Sequence, residues 1–401
     1  MTETVTIEKC VYGGDGLARL DNAVVFVPGA FPGETVQIEI VQRKRSFLRG
    51  RIVKLLTSSR DRIDGSDCRL SSGSPVPGCV YADLAYPAEL AVKQAQLQEA
   101  LARLPGYDGL NLLPPVASPR HLNYRNKLTL HCGCNRDGRI ALGYMRERSH
   151  QILPTSGCPL SDPAINIELS RLLHPPIVRR FRPGADVVFR CTESNGAGWY
   201  SAAMRHSTLP RMLTERTPFG SLQVPADGFF QVNPAAASLL IRRLTEWFSS
   251  ISGAGEIVDL YCGVGALGLS CLVNGGTRLV GVESGRAAVA AAQKNSKAWN
   301  SPADFRCLEL GAEHFDLNGI LAHRDQTTVI VDPPRGGMAV NVAQQLRDSV
   351  VPRIFCVSCD PATLARDLKI ILEGGYRLRR AQLFDLFPRT ARFETLVEIS
   401  L

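Results

Sequence analysis

Long apolar segments are missing from this chain of 401 residues. No run reaches the roughly 18 apolar residues that a membrane-spanning helix needs. The first residues, Met1–Val5, are polar and show no secretion signal. We therefore expect a cytoplasmic protein without a membrane span. Its 12 cysteines are then interpreted as thiols, metal ligands or catalytic groups, because disulfides are rare in the cytosol.

Lysine is scarce as well, with 8 residues against 38 arginines. The formal net charge of +8 favours a polyanionic partner without proving one. Arginine offers a planar fork for phosphates and a face on which bases stack, so the composition is compatible with RNA. A chain of 401 residues is too long for one ordinary core and predicts two or three domains.

Residues 1–57 are predicted to form a small β-barrel. Runs rich in β-branched residues at 5–8 and 23–27, and a period-two alternation at 36–40, indicate short strands separated by glycines. The tract Gln42–Phe47 adds three basic residues and an aromatic. This tract is either a solvated hairpin or a surface that contacts single-stranded nucleic acid, as oligonucleotide-binding (OB) barrels do.

Residues 58–225 are predicted to form a β-rich central domain. A linker rich in Ser, Gly and Pro comes first and is followed by an amphipathic helix over 87–104. Short strands and turns follow, and their pattern predicts no topology.

From residue 226 to residue 401 the pattern changes to alternating strands and helices. Four strand-like runs lie at 256–261, 277–282, 328–331 and 353–357. This alternation predicts an α/β domain with a doubly wound parallel sheet, whose ligands bind at the carboxyl ends of the strands.

Chemically useful residues follow these strands. The turn Asp259–Gly268 has glycines that permit a sharp bend and close approach of a ligand. Glu283 ends the next strand, 283 − 263 = 20 residues beyond Gly263, where a carboxylate can accept both hydroxyls of a ribose. Asp332 precedes two prolines that fix a rigid turn, and Cys359 follows the last strand. The ends of parallel strands share one edge, so we expect one cleft.

This set of residues favours methyl transfer from S-adenosyl-L-methionine (SAM) to carbon. The C5 atom of uracil becomes nucleophilic only after a thiolate adds to C6, and Cys359 would supply that thiolate. The glycine-rich turn with Glu283 would also suit a nicotinamide-dependent oxidoreductase, but Asp332 and Cys359 would have no role in such an enzyme.

The motifs resemble those of the RNA (uracil-C5-)-methyltransferases, which make 5-methyluridine with SAM. The resemblance covers nearly the whole chain. In the C-terminal domain it rests on Phe229–Asn233, Ser358–Asp367 and Phe384–Thr395. The N-terminal segment resembles a TRAM domain, an RNA-binding barrel, through Tyr12–Gly16 and Val27–Glu34. The implied fold is a Rossmann-like SAM methyltransferase domain preceded by a β-rich central domain and an OB-like TRAM barrel.

The resemblance also implies roles for individual residues. Cys359 is the nucleophile and Glu394 the general base that removes the C5 proton. The residues expected to bind SAM are Gln231, Tyr261, Gly263, Glu283 and Asp332. Three positions depart from the family pattern without removing a group that the chemistry needs: Arg389 replaces Gln, Arg392 replaces His, and Ala266 replaces a polar residue.

The resemblance implies that the partner is RNA and that the enzyme is a monomer. Members with an N-terminal barrel more usually act on ribosomal RNA, so 23S ribosomal RNA is preferred over transfer RNA. A catalytically silent RNA-binding protein on the same scaffold is the alternative from another class, and the intact Cys359 and Glu394 disfavour it.

Many members of this family bind a 4Fe–4S cluster through four cysteines. Cys68, Cys79 and Cys158 match three of the four positions, and Val76 stands at the remaining one, where it cannot ligate iron. A cluster with a substitute ligand and a vestigial site are both open interpretations.

Overall fold

The computed structural model describes residues 2–134, 138–146, 151–178, 180–250 and 255–401. Within these residues the chain forms three larger β-sheets and one separate hairpin, and helices cover the largest sheet. None of the described helices is long and apolar enough to span a bilayer. The three domain limits given above stay predictions.

The N-terminal part is a six-stranded sheet. Its strands are β1 (Thr2–Thr6), β2 (Lys9–Cys10), β3 (Gly16–Leu20), β4 (Ala23–Val27), β5 (Thr35–Arg43) and β6 (Leu48–Thr57). They are ordered β1-β5-β6-β4-β3-β2, and every pair is antiparallel except β4 with β6. Apolar residues from five of these strands share one core, so the sheet curls around itself as the barrel prediction requires.

A helix and a short strand connect the barrel to the rest of the chain. These are α1 (Tyr86–Leu101), which has Pro87 in its first turn as predicted, and β7 (Asn111–Leu112). Leu97 and Leu101 of the helix pack into the core of the C-terminal sheet, and β7 pairs in parallel with Arg380 and Ala381 of that sheet. This connection therefore belongs to the layer that carries the candidate site.

The central sheet is antiparallel and has the order β10-β9-β8-β11-β12-β13. Its strands are β8 (Lys127–Cys134), β9 (Ile140–Met145), β10 (Ile152–Pro154), β11 (Asp186–Thr192), β12 (Gly196–Ser201) and β13 (His206–Ser207). The intervening helices are α2 (Pro163–Leu172) and α3 (Pro175–Val178), and the hairpin of β14 (Met212–Thr217) and β15 (Gly220–Pro225) follows.

The C-terminal sheet has eight strands in the order β18-β17-β16-β19-β20-β22-β21-β7. Its strands are β16 (Glu256–Leu260), β17 (Arg278–Glu283), β18 (Asp304–Cys307), β19 (Thr327–Val331), β20 (Arg353–Ser358), β21 (Arg377–Phe384) and β22 (Glu394–Ser400). The helices are α4 (Pro234–Ser249), α5 (Ala266–Leu272), α6 (Arg286–Ala298), α7 (Val340–Asp348) and α8 (Pro361–Leu372).

Strand direction in this sheet decides where the site lies. The strands β16 to β20 run parallel to one another, which confirms the doubly wound α/β prediction. Their residues are almost all buried because helices cover both faces. Strand β22 is antiparallel to β20 and β21. It therefore begins at the edge where the parallel strands end.

Candidate active site

Four of the predicted site residues lie at the carboxyl ends of parallel strands. Tyr261 follows β16, Glu283 ends β17, Asp332 follows β19 and Cys359 follows β20. The fifth, Glu394, is the first residue of β22 and reaches the same edge because that strand runs the other way. The strand order also reverses between β16 and β19, which is where ligands bind in such sheets.

The registers place Cys359 next to Glu394. Strand β20 pairs Ser358 with Thr395, and one step further toward the edge would pair Cys359 with Glu394. A sharp turn then leads from the cysteine into α8, because the carboxylate of Asp360 accepts the N–H groups of the first helical turn. The thiol is therefore fixed between a rigid strand and a capped helix.

The turn after β16 is built for close approach of a ligand. Tyr261 has a positive φ of 63°, which is uncommon for a non-glycine residue and costs about 1–3 kcal/mol. The space where Gly263 would carry a side chain is open. Its N–H donates to Glu283 Oε2 at 3.2 Å, and the N–H of Gly285 donates to Oε1 at 2.7 Å. Two loops therefore hold the Glu283 carboxylate at the cleft.

A buried carboxyl group beneath this turn was not assigned a role from the sequence. Asp259 Oδ2 accepts the N–H of Gly268 at 2.9 Å, while its Oδ1 has no partner among the described residues. A Cβ on Gly268 would overlap Asp259 and Leu279, so only glycine lets α5 pack this closely on β16 and β17. Burial raises the pKa of Asp259 to about 8, so this group is neutral near pH 7 and shapes the turn.

The surroundings of Cys359 contain both signs of charge. Burial, with smaller contributions from the carboxyl groups of Glu394 and Asp332, raises the pKa of its thiol to about 11. The guanidinium groups of Arg335 and Arg392 act in the opposite direction. The two cations favour the thiolate, which is the nucleophilic form.

Glu394 has the most perturbed carboxyl group of the site. It is 4% exposed, and its Oε2 atom has no hydrogen-bond partner among the described residues. Burial raises its pKa well above the usual value, with a further contribution from Asp332 that Arg335 opposes. Buried carboxyl oxygens are normally paired, so this one is a candidate for a functional group.

Asp332 is half-buried at the end of β19 and is followed by a buried proline. Burial raises its pKa to about 7. Together with Glu283 and Glu394 it makes the cleft a place where a cation would be stabilised. A cation bound there would lower the pKa of Cys359, Glu394 and Asp332 together, because a nearby positive charge favours the ionised forms.

Gln231 lies in the loop that leads into α4, where its neighbour Asn233 caps the helix. The Asn233 amide also donates to the carbonyl of Leu386 at 3.2 Å, which ties this loop to the C-terminal motif. The described hydrogen bonds do not join Gln231 to the other predicted site residues. Its role in SAM binding stays a prediction.

Buried charges hold the segment Phe384–Thr395, the C-terminal motif, in position. Lys93 of α1 donates to Glu89 at 2.6 Å and to Asp385 at 2.8 Å, and these three groups are fully buried. The guanidinium of Arg389 donates to the carbonyl of Leu84 at 2.6 Å, and its backbone N–H donates to Glu89 at 2.7 Å. The Arg389 guanidinium is thus held between a backbone carbonyl and the buried carboxylate of Glu89.

A cleft of about 440 Å³ opens where four parts of the structure meet. They are the barrel, the segment 68–80 that carries Cys68 and Cys79 (the cysteine tract), the central sheet and the C-terminal sheet. Four basic side chains line it: Arg125, Lys127, Arg335 and Arg392. Two of them also influence the thiol of Cys359, so the cleft adjoins the nucleophile. Arg125 and Lys127 were missed in the sequence because their signal, two basic residues at the start of a strand, is common.

The tract Gln42–Phe47 lies at the turn between β5 and β6. Arg43, Lys44 and Arg45 are all exposed there, and Phe47 packs edge-on against Phe26. The tract is therefore a solvated hairpin, and its basic tip is free of burial. Contact of this tip with RNA stays a prediction.

The three predicted metal ligands lie in one apolar core, together with Val76. The sulfur atoms of Cys68 and Cys79 are 3.3 Å apart, and Cys158 is buried nearby. Val76 is 1% exposed and offers no donor atom. Over the ranges that the structure describes, no three His, Cys, Asp or Glu side chains are arranged to hold a metal. The donor set does not fit a four-thiolate cluster.

Comparison with known proteins gives a consistent result. The family model for tRNA (uracil-5-)-methyltransferase matches residues 221–400, and the TRAM domain model matches residues 1–53. An uncharacterized RNA methyltransferase of Thermosynechococcus vestitus is 30% identical over 98% of this chain and 97% of its own length. Another from Thermotoga maritima is also 30% identical, over 100% of this chain and 99% of its own length.

One solved structure superposes over almost the whole chain. It is the tRNA (uracil-54, C5)-methyltransferase of Pyrococcus abyssi in complex with S-adenosyl-L-homocysteine, with a TM-score of 0.72 and 21% identity. The superposition covers 98% of this chain and 100% of that one. At this identity the likeness establishes the fold.

Proposed function

Because the chain belongs to the SAM-dependent RNA (uracil-5-)-methyltransferase family, we propose that it methylates C5 of a uridine in 23S ribosomal RNA, with Cys359 as nucleophile and Glu394 as general base. One observation carries the proposal more than any other. The antiparallel strand β22 brings a buried carboxyl group with an unpartnered oxygen to the strand end that carries the thiol.

Cys359 performs the first chemical step. Its thiolate forms a bond to C6 of the uracil, and the electron pair of the C5–C6 double bond moves toward the C4 carbonyl. The uracil must leave its stack to reach the thiol. The guanidinium groups of Arg335 and Arg392 support the thiolate, whose pKa burial would otherwise keep high.

The cofactor-binding residues fit a SAM molecule. Glu283 presents a carboxylate held by two backbone N–H groups, the space over Gly263 is open, and the acidic surroundings of Asp332 would stabilise a sulfonium cation. Bound SAM supplies an electrophilic methyl group to C5 and a positive charge to the cleft. That charge would lower the pKa of Cys359 and Glu394 and so prepare both groups for reaction.

Glu394 completes the reaction. Its carboxylate accepts the proton from the methylated C5, the C5–C6 double bond forms again, and the thiolate of Cys359 leaves C6. Its raised pKa makes the ionised carboxylate a stronger base than an exposed glutamate. Within the described part of the chain no group hydrogen-bonds to Oε2, which leaves that oxygen available for the proton.

Ribosomal RNA is the proposed substrate because of the N-terminal barrel and its exposed basic tip. Transfer RNA is the second candidate, because the matching family model describes tRNA (uracil-5-)-methyltransferases. A deletion strain distinguishes them: mass spectrometry should show loss of one 5-methyluridine from 23S ribosomal RNA. Loss from transfer RNA would move the proposal to the second candidate, and no loss in either RNA would favour a silent RNA-binding protein.

Iron takes no part in these steps. The 4Fe–4S cluster stays a prediction of a structural site, and Val76 weakens it because it leaves the set one donor short. The monomeric state and the cytoplasmic location also stay predictions.

A further inference from the structure

A tyrosine of the N-terminal barrel touches the backbone of the candidate nucleophile. Tyr12 lies in the turn between β2 and β3, and its hydroxyl donates to the carbonyl oxygen of Cys359 at 3.2 Å. The same hydroxyl accepts a hydrogen bond from Arg392 Nη1 at 2.7 Å. That nitrogen also donates to Asp360 Oδ2 at 2.9 Å. One tyrosine thus joins two segments that lie 347 and 380 residues further along the chain.

The ring of Tyr12 also contacts the residue that precedes Glu394, the candidate general base. It packs edge-on against Phe393, with ring centroids 5.9 Å apart and an interplanar angle of 80°. Phe393 is 0% exposed and directly precedes Glu394. The Arg392 guanidinium lies 5.5 Å from the Tyr12 ring centroid. Burial raises the pKa of Tyr12 above its usual value, so the hydroxyl remains a hydrogen-bond donor at neutral pH.

The turn that carries Tyr12 packs closely against the rest of the structure. Gly13 and Gly14 follow it with φ values of 106° and 95°, which side chains rarely adopt. A Cβ on Gly14 would overlap the side chain of Val80, so the turn is packed directly on the cysteine tract. Tyr12 and Gly13 also line the 440 Å³ cleft. The turn is therefore a wall of the cleft and a support of the nucleophile.

Asp360 fixes the backbone on the other side of Cys359. Its Oδ1 atom accepts the N–H groups of Ala362 and Thr363 at the start of α8, and its Oδ2 atom is held by Arg392. The backbone on the far side of Cys359 is thus anchored to the helix, while its own carbonyl is anchored to Tyr12. Nucleophilic addition needs the reacting atoms in line at close range, and a misplacement of about 1 Å costs about 100-fold in rate.

We infer that Tyr12 is a positioning residue for the methyl transfer: together with Arg392 and Asp360 it aims the Cys359 thiol, so that the RNA-binding barrel and the nucleophile act as one unit. This inference rests on the proposed function. Tyr12 acts on the reaction only through the backbone of Cys359.

The test uses Tyr12→Phe, which removes the hydroxyl and keeps the ring that packs on Phe393. RNA carrying 5-fluorouridine at the target position measures thiolate addition and methyl transfer together, because fluorine in place of the C5 proton blocks the later elimination and the protein–RNA adduct survives denaturing electrophoresis. With SAM and RNA at saturation, we expect adduct formation to slow by about tenfold, while RNA affinity and SAM affinity stay within about twofold.

The matched control is Tyr376→Phe. It also removes a buried tyrosine hydroxyl, one that lies 3.3 Å from Ser349 in the same sheet's core, away from the nucleophile. Its adduct rate should equal that of the unmodified protein. Equal rates for Tyr12→Phe and the control would overturn the inference. So would a slower rate that returns to normal at saturating RNA, because Tyr12 would then be an RNA contact only.

The dependence on pH separates positioning from electrostatics. Glu394, Asp332, Arg335 and Arg392 face the thiol of Cys359. Tyr12→Phe changes none of them, so its adduct rate should be lower at every pH with an unchanged midpoint. Arg392→Gln removes a cation and should move the midpoint to higher pH, and it also tests the support if Tyr12→Phe does not fold. If the unmodified protein forms no adduct with any RNA that carries 5-fluorouridine, the proposed function fails instead.

Discussion

Cys359 and Cys79 lie in two contrasting surroundings. Cys359 is half-buried at a strand end and is influenced by two guanidinium groups and two carboxyl groups. Cys79 is buried beneath a loop, 3.3 Å from Cys68 and packed against Val76 and other apolar residues. Burial and the neighbouring thiol raise the pKa of Cys79 far above the usual value. The cation-flanked thiol has the surroundings of a nucleophile, and the other has those of an inert core group.

The two sites also differ in completeness. The candidate residues Glu283, Asp332, Cys359 and Glu394 all lie at the sheet edge, whereas the cysteine tract has Val76 at the position of the fourth expected donor. Changes at the edge should therefore abolish chemistry, and changes in the tract should leave it nearly intact. Each prediction below tests that difference.

Replacing the nucleophile should have the largest effect. Cys359→Ala should reduce methylation of ribosomal RNA below detection, because the proposed mechanism needs its thiolate to add to C6. Binding of S-adenosylhomocysteine, measured by thermal stabilisation, should be unchanged since the thiol acts on the base. The matched variant Cys79→Ser should keep turnover within about twofold. Measurable turnover by purified Cys359→Ala would exclude a covalent mechanism through Cys359.

Replacing the base should stall the reaction after the adduct has formed. Glu394→Gln keeps the size of the side chain but cannot accept the C5 proton. With natural RNA and SAM we expect a protein–RNA species that survives denaturing electrophoresis. The matched variant Glu398→Gln, on the same strand, should release its product normally. If Glu394→Gln bound RNA but formed no such species, another group would have to be the base.

The same variant should be more stable than the unmodified protein at high pH. The raised pKa of Glu394 means that the fold favours its neutral form. That contribution is fully present below the unfolded pKa of about 4.3 and is lost as pH rises toward the folded pKa. Glu394→Gln should therefore have a higher free energy of unfolding than the unmodified protein at pH 8, and the difference should shrink at pH 4. Urea unfolding at both pH values measures it, and equal stabilities at pH 8 would mean that the carboxylate is solvated.

The sheet edge was predictable because topology leaves little choice. Parallel strands bring Tyr261, Glu283, Asp332 and Cys359 together wherever their flanking helices pack. The motif resemblance identified Glu394, but only the antiparallel direction of β22 explains its position. The strand pattern itself predicted β16, β17, β19 and β20 to within about one residue at each end.

Other parts of the molecule carried no local signal. The order of the central strands depends on pairings between residues far apart, such as Asp186 with His131, and no periodicity reports them. The bond from Tyr12 to Cys359 joins positions 347 residues apart. The environments of Arg389 and Arg392 were equally hidden, because their acceptors come from α1, the cysteine tract and the barrel.

The basic tip of the barrel should affect RNA affinity and leave chemistry unchanged. Replacing Arg43, Lys44 and Arg45 by Gln should weaken RNA binding by about three- to tenfold at physiological salt. The slope of log affinity against log salt concentration should become shallower by up to about two units. Each phosphate contact that forms releases about 0.7 counterion from single-stranded RNA, and three contacts are removed. The adduct rate at saturating RNA should not change. Unaltered affinity and slope would make the tip a solvated hairpin only, whereas a slower adduct rate would place it in the reaction.

The cysteine tract should respond in metal content rather than in turnover. Val76→Cys places a fourth thiol in the core that already holds Cys68, Cys79 and Cys158. After anaerobic reconstitution we expect it to bind more iron and acid-labile sulfide than the unmodified protein, because a cluster of this type uses four thiolates. Val76→Ala is the matched control for the altered packing, and Cys68→Ser in the Val76→Cys background should remove the gain. Turnover should stay within about twofold throughout, since no step of the methyl transfer passes through this core. Stoichiometric iron in the unmodified protein would show instead that a group other than Cys already serves as the fourth ligand.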